Sequence, residues 1–282
     1  MITSSHLEEG TRALGVAGIE DARSEASALW ADLLGVGAGD VWLRRDELPG
    51  ADQVGAFREA VERRARGAPR QYATRRAAFR LLDLYVDERV LIPRPETEGL
   101  VQHVLDWADR RRRFGRAVDV GTGSGAIALS LSLEADFRWV LGVDNSRSAV
   151  LVAALNRRRV AAHRPISLLQ ADALSPLRTG FFDVVVSNPP YVTEDEWRGL
   201  EPGVRDFEPR GALVSAESGM AHIRCLCQAA RRCIAAGGLL AVEIDARRGA
   251  LAIDAARAAG FPAPRLERDV FGRDRYLLCE NR

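Results

Sequence analysis

A chain of 282 residues, 47% hydrophobic and 28% charged, belongs to the ordinary soluble class and is long enough for one large domain plus a small one. Its 40 basic and 39 acidic side chains leave a formal net charge of +1, so overall charge gives no sign of a nucleic-acid or membrane binder. Every basic residue is arginine, which excludes a lysine Schiff base and a phosphate-loop lysine.

The first residues, Met1 to His6, lack the basic region and apolar stretch of a secretory leader, and no later run approaches membrane-spanning length. The expected location is the cytoplasm, with no membrane association. Residues 1–72 read as a helical domain. Apolar residues recur at helical spacing over residues 6–14 and 19–34, the second stretch with Ala26, Leu29, Trp30, Leu33 and Leu34 on one side. The glycines at 35, 37 and 39 break the pattern, and residues 52–66 resume it with Val54, Phe57, Val61 and Ala65 inward. This module carries no catalytic constellation. Docking of a partner and simple support of the fold by a solvated basic face are both open.

From residue 78 to 92 the alternation changes to period two, predicting a β-hairpin linker over residues 73–94 before a larger domain at 95–282. The chain then enters Ile92-Pro93-Arg94-Pro95-Glu96-Thr97-Glu98 and a helix over residues 98–110, in which Thr97 or Glu96 caps the helix or the stiff segment walls a pocket. The arginine run 110–113 suits the negative end of that helix.

A strand at residues 117–120 runs into Gly121-Thr122-Gly123-Ser124-Gly125, which opens a helix over 126–134. Glycines let the backbone bend sharply and let a ligand approach the helix start. A second strand, residues 139–143, ends in Asp144, about twenty residues past the glycines, where an acid meets a ribose hydroxyl in nucleotide-binding α/β units. Helix 149–159 and strand 166–169 follow, with Asp172 just beyond, either receiving an adenine amino group or capping what comes next.

The fourth strand, residues 182–187, leads into Asn188-Pro189-Pro190-Tyr191. Neither proline can donate a backbone hydrogen bond, so the corner presents carbonyl oxygens without amide protons. A planar NH2 group fits it, with one hydrogen to the Asn188 side-chain oxygen, the other to the Pro189 carbonyl and Tyr191 against its face. Such acceptors help localise a delocalised nitrogen lone pair toward an electrophile and stabilise the positive charge that follows, without a titrating base. Parallel strands that all deliver polar residues at their C-terminal ends build the crevice in which open α/β sheets bind ligands. Beyond it, a helix over 219–236, a strand over 239–244, a helix over 251–258 and an antiparallel pair at 265–270 and 275–279 complete the pattern. Cys225, Cys227, Cys233 and Cys279 read as buried thiols, with no metal site or disulfide framework.

From about Gly67 onward the sequence resembles the HemK-type protein glutamine methyltransferases that modify peptide chain release factors. The resemblance rests on the segment from Val90 to Glu98, the glycine loop with Asp144, Ser187-Asn188-Pro189-Pro190-Tyr191, and Phe207-Glu208-Pro209 leading to Ser218-Gly219-Met220. It implies a Rossmann-like S-adenosylmethionine-dependent methyltransferase domain, a seven-stranded mostly parallel sheet with an antiparallel C-terminal hairpin, preceded by a small helical substrate-docking domain. By similarity, Gly121, Thr122, Gly123, Ser124, Gly125 and Asp144 hold the methionine and ribose parts of the cofactor, Asp172 and Ala173 border its adenine, and Asn188 bridges cofactor and substrate. Asn188, Pro189, Pro190 and Tyr191 then receive the glutamine amide of the Gly-Gly-Gln loop of a release factor. Transfer is direct, with no metal.

Three departures stand out: Arg75 and Asp245, the second after the fifth strand of the sheet, stand where that family commonly has glycine, and the stretch Arg80-Leu81-Leu82 lacks an expected glycine. Amino-group methylation of DNA adenine, of ribosomal RNA guanine or of a small molecule uses the same kind of corner and remains the alternative. The absence of a recognition domain and of basic charge weighs against stable nucleic-acid binding. A non-catalytic binding module and a nicotinamide dehydrogenase are further rivals, the second leaving the Asn188 corner unexplained.

Overall fold

The computed structural model describes residues 1–175 and 177–281. The chain divides into two units: Met1–Ala77 with Val86–Glu88 and Glu201–Phe207, and Ala78–Tyr85 with Arg89–Leu200 and Glu208–Arg282.

The first unit holds helices Thr3–Val16, Ala22–Leu34, Ala38–Leu43, Ala51–Ala65 and Arg70–Thr74. Its core is Leu14, Leu29, Trp30, Phe57, Ala60 and Val61, with Trp30 edge-on to Phe57 at 4.7 Å between ring centres. The glycine-rich stretch is more than a break. Gly35 ends one helix in the left-handed region at φ 67°, and the backbone of Gly37 starts the short helix Ala38–Leu43.

Nine strands follow among the described residues. β1 (Ala77–Phe79) and β2 (Leu82–Leu84) form a two-stranded sheet, and residues 86–92, expected to prolong the hairpin, form no strand. β3 (Arg116–Val120), β4 (Trp139–Asp144), β5 (Ile166–Gln170), β6 (Phe182–Ser187), β7 (Ile234–Glu243), β8 (Arg265–Arg268) and β9 (Asp274–Glu280) make one sheet in the order β5-β4-β3-β6-β7-β9-β8. β3 to β7 pair in parallel, and β9 is antiparallel to both β7 and β8. The expected seven-stranded architecture is therefore present.

The apolar runs of these strands follow from burial on both faces. Val184, Val186, Leu239 and Ala241 face one core with Leu100, Val104 and Trp107 of helix Pro95–Arg111 and Ile127 to Leu131 of helix Ala126–Glu134. Val185, Leu240 and Val242, one residue out of phase, face the other with helices Ala221–Cys233 and Gly249–Ala258. Glycines 237 and 238 lie inside β7, contrary to the expected start at residue 239. Gly237 has φ 71°, a Cβ on Gly238 would sit 2.7 Å from the Asp183 carbonyl, and the β6/β7 register shifts there. Cys225 also departs from expectation: it is exposed, while Cys227, Cys233 and Cys279 are buried. Helix Ala221–Cys233 buries Ile223, Leu226, Cys227 and Ala230 as one stripe, and residue 225 lies off it.

Arg75 and Arg80 both adopt left-handed backbone, Arg75 at φ 56° closing helix Arg70–Thr74 and Arg80 at φ 51° between β1 and β2. A non-glycine residue there costs about 1–2 kcal/mol, partly offset by the extra chain entropy a glycine loses. Arg80 compensates through its guanidinium, which donates to Glu134 at 2.7 and 2.6 Å and to the Glu98 carbonyl at 3.0 Å. Exposed Arg75 shows no such compensation among the described contacts. Arg75→Gly should therefore raise the stability of the chain by up to about 1 kcal/mol, and Arg80→Gly should lower it by about 2–3 kcal/mol through loss of the Glu134 pair. Urea unfolding midpoints check the opposite signs.

Candidate active site

The chain order in the sheet reverses between β3 and β6, where an open α/β sheet forms its crevice. Val120 pairs with Ser187, and the Ser187 hydroxyl donates to the Val120 carbonyl at 2.7 Å. Gly121 and Asn188 thus leave adjacent strands side by side, about 4.8 Å apart. Val120 also pairs with Val143, and Asp144 with Gln170, so Asp144 and the segment carrying Asp172 lie along the same edge. The structure brings the glycine loop, Asp144 and the Asn188 corner onto one rim. Asp172 is exposed two residues past β5, next to Ala173 in a left-handed conformation at φ 48°.

In the loop, Gly121, Gly123 and Gly125 all have positive φ, at 75°, 53° and 87°. Side chains at Gly121 and Gly123 would meet almost nothing, whereas one at Gly125 would press on Leu129 and Ala153. The first two leave a bare surface at the helix start, and the third lets two helices close. Asp144 spans the crevice edge: Oδ2 accepts the Gly123 N–H and Oδ1 the Ser146 N–H, both at 2.9 Å. A carboxylate has about four acceptor sites, so two remain for a diol. Beneath the loop, Asp119 is fully buried, with Oδ2 accepting from the Thr122 hydroxyl at 2.7 Å and the Ala128 N–H at 3.2 Å, and Oδ1 without a partner. Burial pushes its pKa up to about 7 against those hydrogen bonds, with the nearby charge of Asp144 adding to the rise. Buried Asn156 braces the loop from below, donating to the Ser124 and Tyr85 carbonyls at 2.9 Å and accepting the Tyr85 N–H at 2.7 Å.

At the corner, Asn188 Nδ2 donates to Thr97 Oγ1 at 3.0 Å, and Thr97 donates to Glu243 Oε2 at 2.7 Å. Neither Thr97 nor Glu96 caps the helix; Pro95 opens it after Arg94 without a side-chain cap. Burial raises the Glu243 pKa to about 7, and raises that of Tyr191 well above the phenol range, with the Glu243 charge second, so the phenol stays protonated. Behind the corner, Gly219 sits at φ 84°, where a Cβ would lie 2.3 Å from the Tyr191 carbonyl. The Val192 N–H donates to the Leu213 carbonyl at 2.9 Å and the Ser215 N–H to the Val192 carbonyl at 2.8 Å. Arg248 ties the Ser218 carbonyl at 2.7 Å to Glu196 at 2.8 Å. On the other side, buried Glu208 accepts from Arg94 at 2.5 Å and from the Ile92 N–H at 3.3 Å.

Comparison with known proteins finds relatives over nearly the whole chain. Residues 6–74 match the PrmC N-terminal domain family and residues 97–206 the methyltransferase small domain family. The chain is 38% identical over 277 residues to the release factor glutamine methyltransferase of Moorella thermoacetica, covering 98% of this chain and 97% of that one. With the enzyme of the same name from Rhodopirellula baltica it shares 36% over 270 residues, 93% of this chain and 90% of the relative. The chain belongs to the release factor glutamine methyltransferase family. Its fold is also that of a methyltransferase from Pyrococcus furiosus (TM-score 0.51, 17% identity, 72% of this chain and 91% of that chain). The same holds for the hMettl16 catalytic domain in complex with MAT2A 3'UTR hairpin 6 (TM-score 0.56, 12% identity, 82% of each chain).

Sequence reasoning did not single out Glu243, Asn156, Asp119 or Arg248, and gave Thr97 and Glu208 no role at the corner. The available signal for Glu243 and Asp119 was a lone acid in an otherwise apolar central strand, which has to be satisfied by something. Because the folded-state pKa of Asp119 lies above its unfolded value, its contribution to stability is full below about pH 4 and is lost as pH rises through about 7. Asp119→Asn should therefore gain stability relative to the parent by on the order of 2 kcal/mol between pH 5 and pH 8, measured as the difference in urea midpoints at the two pH values.

Proposed function

We propose that this member of the family acts in the cytoplasm, transferring a methyl group from S-adenosylmethionine to the side-chain amide nitrogen of a glutamine in a peptide chain release factor, within its Gly-Gly-Gln loop. Among the described residues no helix is long and apolar enough to cross a membrane. The observation that carries the reading is the lateral pairing of Val120 with Ser187, which sets the glycine loop and the Asn188 corner one strand apart. Full-length similarity to release factor glutamine methyltransferases supports the substrate class.

The residues present fit the cofactor: the bare faces of Gly121 and Gly123 and the free acceptor sites of Asp144 suit the methionine and ribose parts, and Asp172 with Ala173 the adenine edge. When bound, S-adenosylmethionine supplies an electrophilic methyl group on a sulfonium. Asn188 gives its NH2 to Thr97 and so turns Oδ1 toward any incoming donor. Asn188 Oδ1 and the Pro189 carbonyl receive the two hydrogens of the substrate amide, and protonated Tyr191 lies against its plane. Those two oxygens would orient the nitrogen and stabilise the positive charge it would acquire, until one of its protons passes to solvent. The helical unit, with Trp42, Leu43 and Leu48 exposed, is the surface we assign to docking the release factor.

With labelled S-adenosylmethionine, the protein should label a release factor and not its Gln→Ala loop variant; label on DNA or ribosomal RNA instead would replace this reading. Asn188→Ala should keep cofactor affinity and lower transfer by about 100-fold or more, seen as a fall in kcat at unchanged calorimetric Kd. Asp144→Ala should weaken cofactor binding by about 10- to 100-fold, and calorimetry is the direct check.

A further inference from the structure

We propose that Glu243 and Thr97 are positioning residues that set which end of the Asn188 amide faces the substrate. The inference rests on the reading above and extends it to two residues that act through Asn188. It stands on donor and acceptor counting. Thr97 has one hydroxyl proton, and a Glu243 carboxylate can only accept. With the proton of Thr97 committed to Glu243 Oε2 at 2.7 Å, Thr97 Oγ1 can only accept from Asn188, as it does at 3.0 Å. Asn188 must then present NH2 to Thr97 and Oδ1 to the crevice. A protonated Glu243 carries a donor as well, so it can give its own proton to Thr97 Oγ1. The Thr97 proton is released to point at Asn188, the amide can turn over, and its NH2 then meets the NH2 of the substrate donor to donor.

The same carboxyl therefore reads pH. Glu243 is 1% exposed at the end of β7, and its burial holds the pKa near 7. The charged and titratable groups facing it are Glu96 on helix Pro95–Arg111, Arg94 just before it, Tyr191 after β6, and Arg275 and Tyr276 on β9. Arg94 and Arg275 favour the carboxylate and Glu96 opposes it. Both tyrosines are held above their usual range and stay neutral as Glu243 titrates.

The test uses the full chain, S-adenosylmethionine and a release factor. In the parent, kcat should rise through pH 7 while cofactor Kd stays flat. Glu243→Gln should remove that limb and lower the plateau by about 10- to 100-fold, the usual scale of a misplaced reacting group. Thr97→Val should lower kcat by a similar factor at unchanged cofactor affinity, and Thr97→Ser should recover most of the loss. An independent readout needs no turnover: the Asn188 side-chain NH2 resonances should shift with a midpoint near pH 7 in the parent and not in Glu243→Gln. If the parent transfers methyl but the limb survives Glu243→Gln, or Thr97→Val and Thr97→Ser behave alike, the positioning role is overturned. If the parent transfers nothing to a release factor, the functional reading fails, and the Asn188 resonances still decide the inference by themselves.

Discussion

The lateral register of β3 against β6 is the constraint on which the site depends. Parallel pairing aligns Val120 with Ser187, and the serine hydroxyl closes the carbonyl that β3 would otherwise leave open at its end. From that shared line one chain turns through glycines and the other through prolines, so one exit is bare of side chains and the other bare of backbone protons. A slip of one residue in β6 would turn Asn188 to the opposite face of the sheet. The slip is resisted by both cores at once, because Val184 and Val186 are committed to one face and Val185 to the other.

Two acids flank that line, Asp119 on β3 and Glu243 at the end of β7, and both are buried and paired with a threonine hydroxyl rather than with an arginine at hydrogen-bonding distance. As stabilising devices they are poor, since burial disfavours their charge and raises both pKa values to about 7. What each gains is direction. Asp119 gathers Thr122 and the Ala128 N–H, which sets the mouth of the glycine loop, and Glu243 through Thr97 sets the Asn188 amide. Local rules broken at a rim where ligand groups converge are the mark of a site whose stability has been traded for orientation.

The sheet and its helices were legible because their signals are local. β6 spans residues 182–187 and helix Ala126–Glu134 spans 126–134, as read from hydrophobic runs and from the glycines before the helix. The unread part lies in contacts between distant stretches. Thr97 and Glu243 are 146 residues apart and Arg94 and Glu208 are 114 apart, and no period or spacing announces such pairs. Gly219 was visible as part of a motif, yet its reason, the Tyr191 carbonyl where its side chain would be, exists only in three dimensions. Cys225 is a different case: its place off the stripe of Ile223, Leu226 and Cys227 was readable, and treating the thiols as a class obscured it.

The three positions singled out in the sequence, 75, 80 and 245, divide on the same physical ground. Arg75 and Arg80 adopt the left-handed backbone that a glycine would take freely, each at a local energetic cost. Asp245 has an ordinary φ of -72°, so no glycine is required there, and its carboxylate is put to use. It accepts from the Arg247 N–H at 2.8 Å and pairs with the Arg247 and Arg248 guanidiniums. Arg248 is the side chain that holds the Ser218 carbonyl, next to the glycine on which the Tyr191 carbonyl rests. The acid at 245 is thus mechanically continuous with the wall behind the aromatic ring.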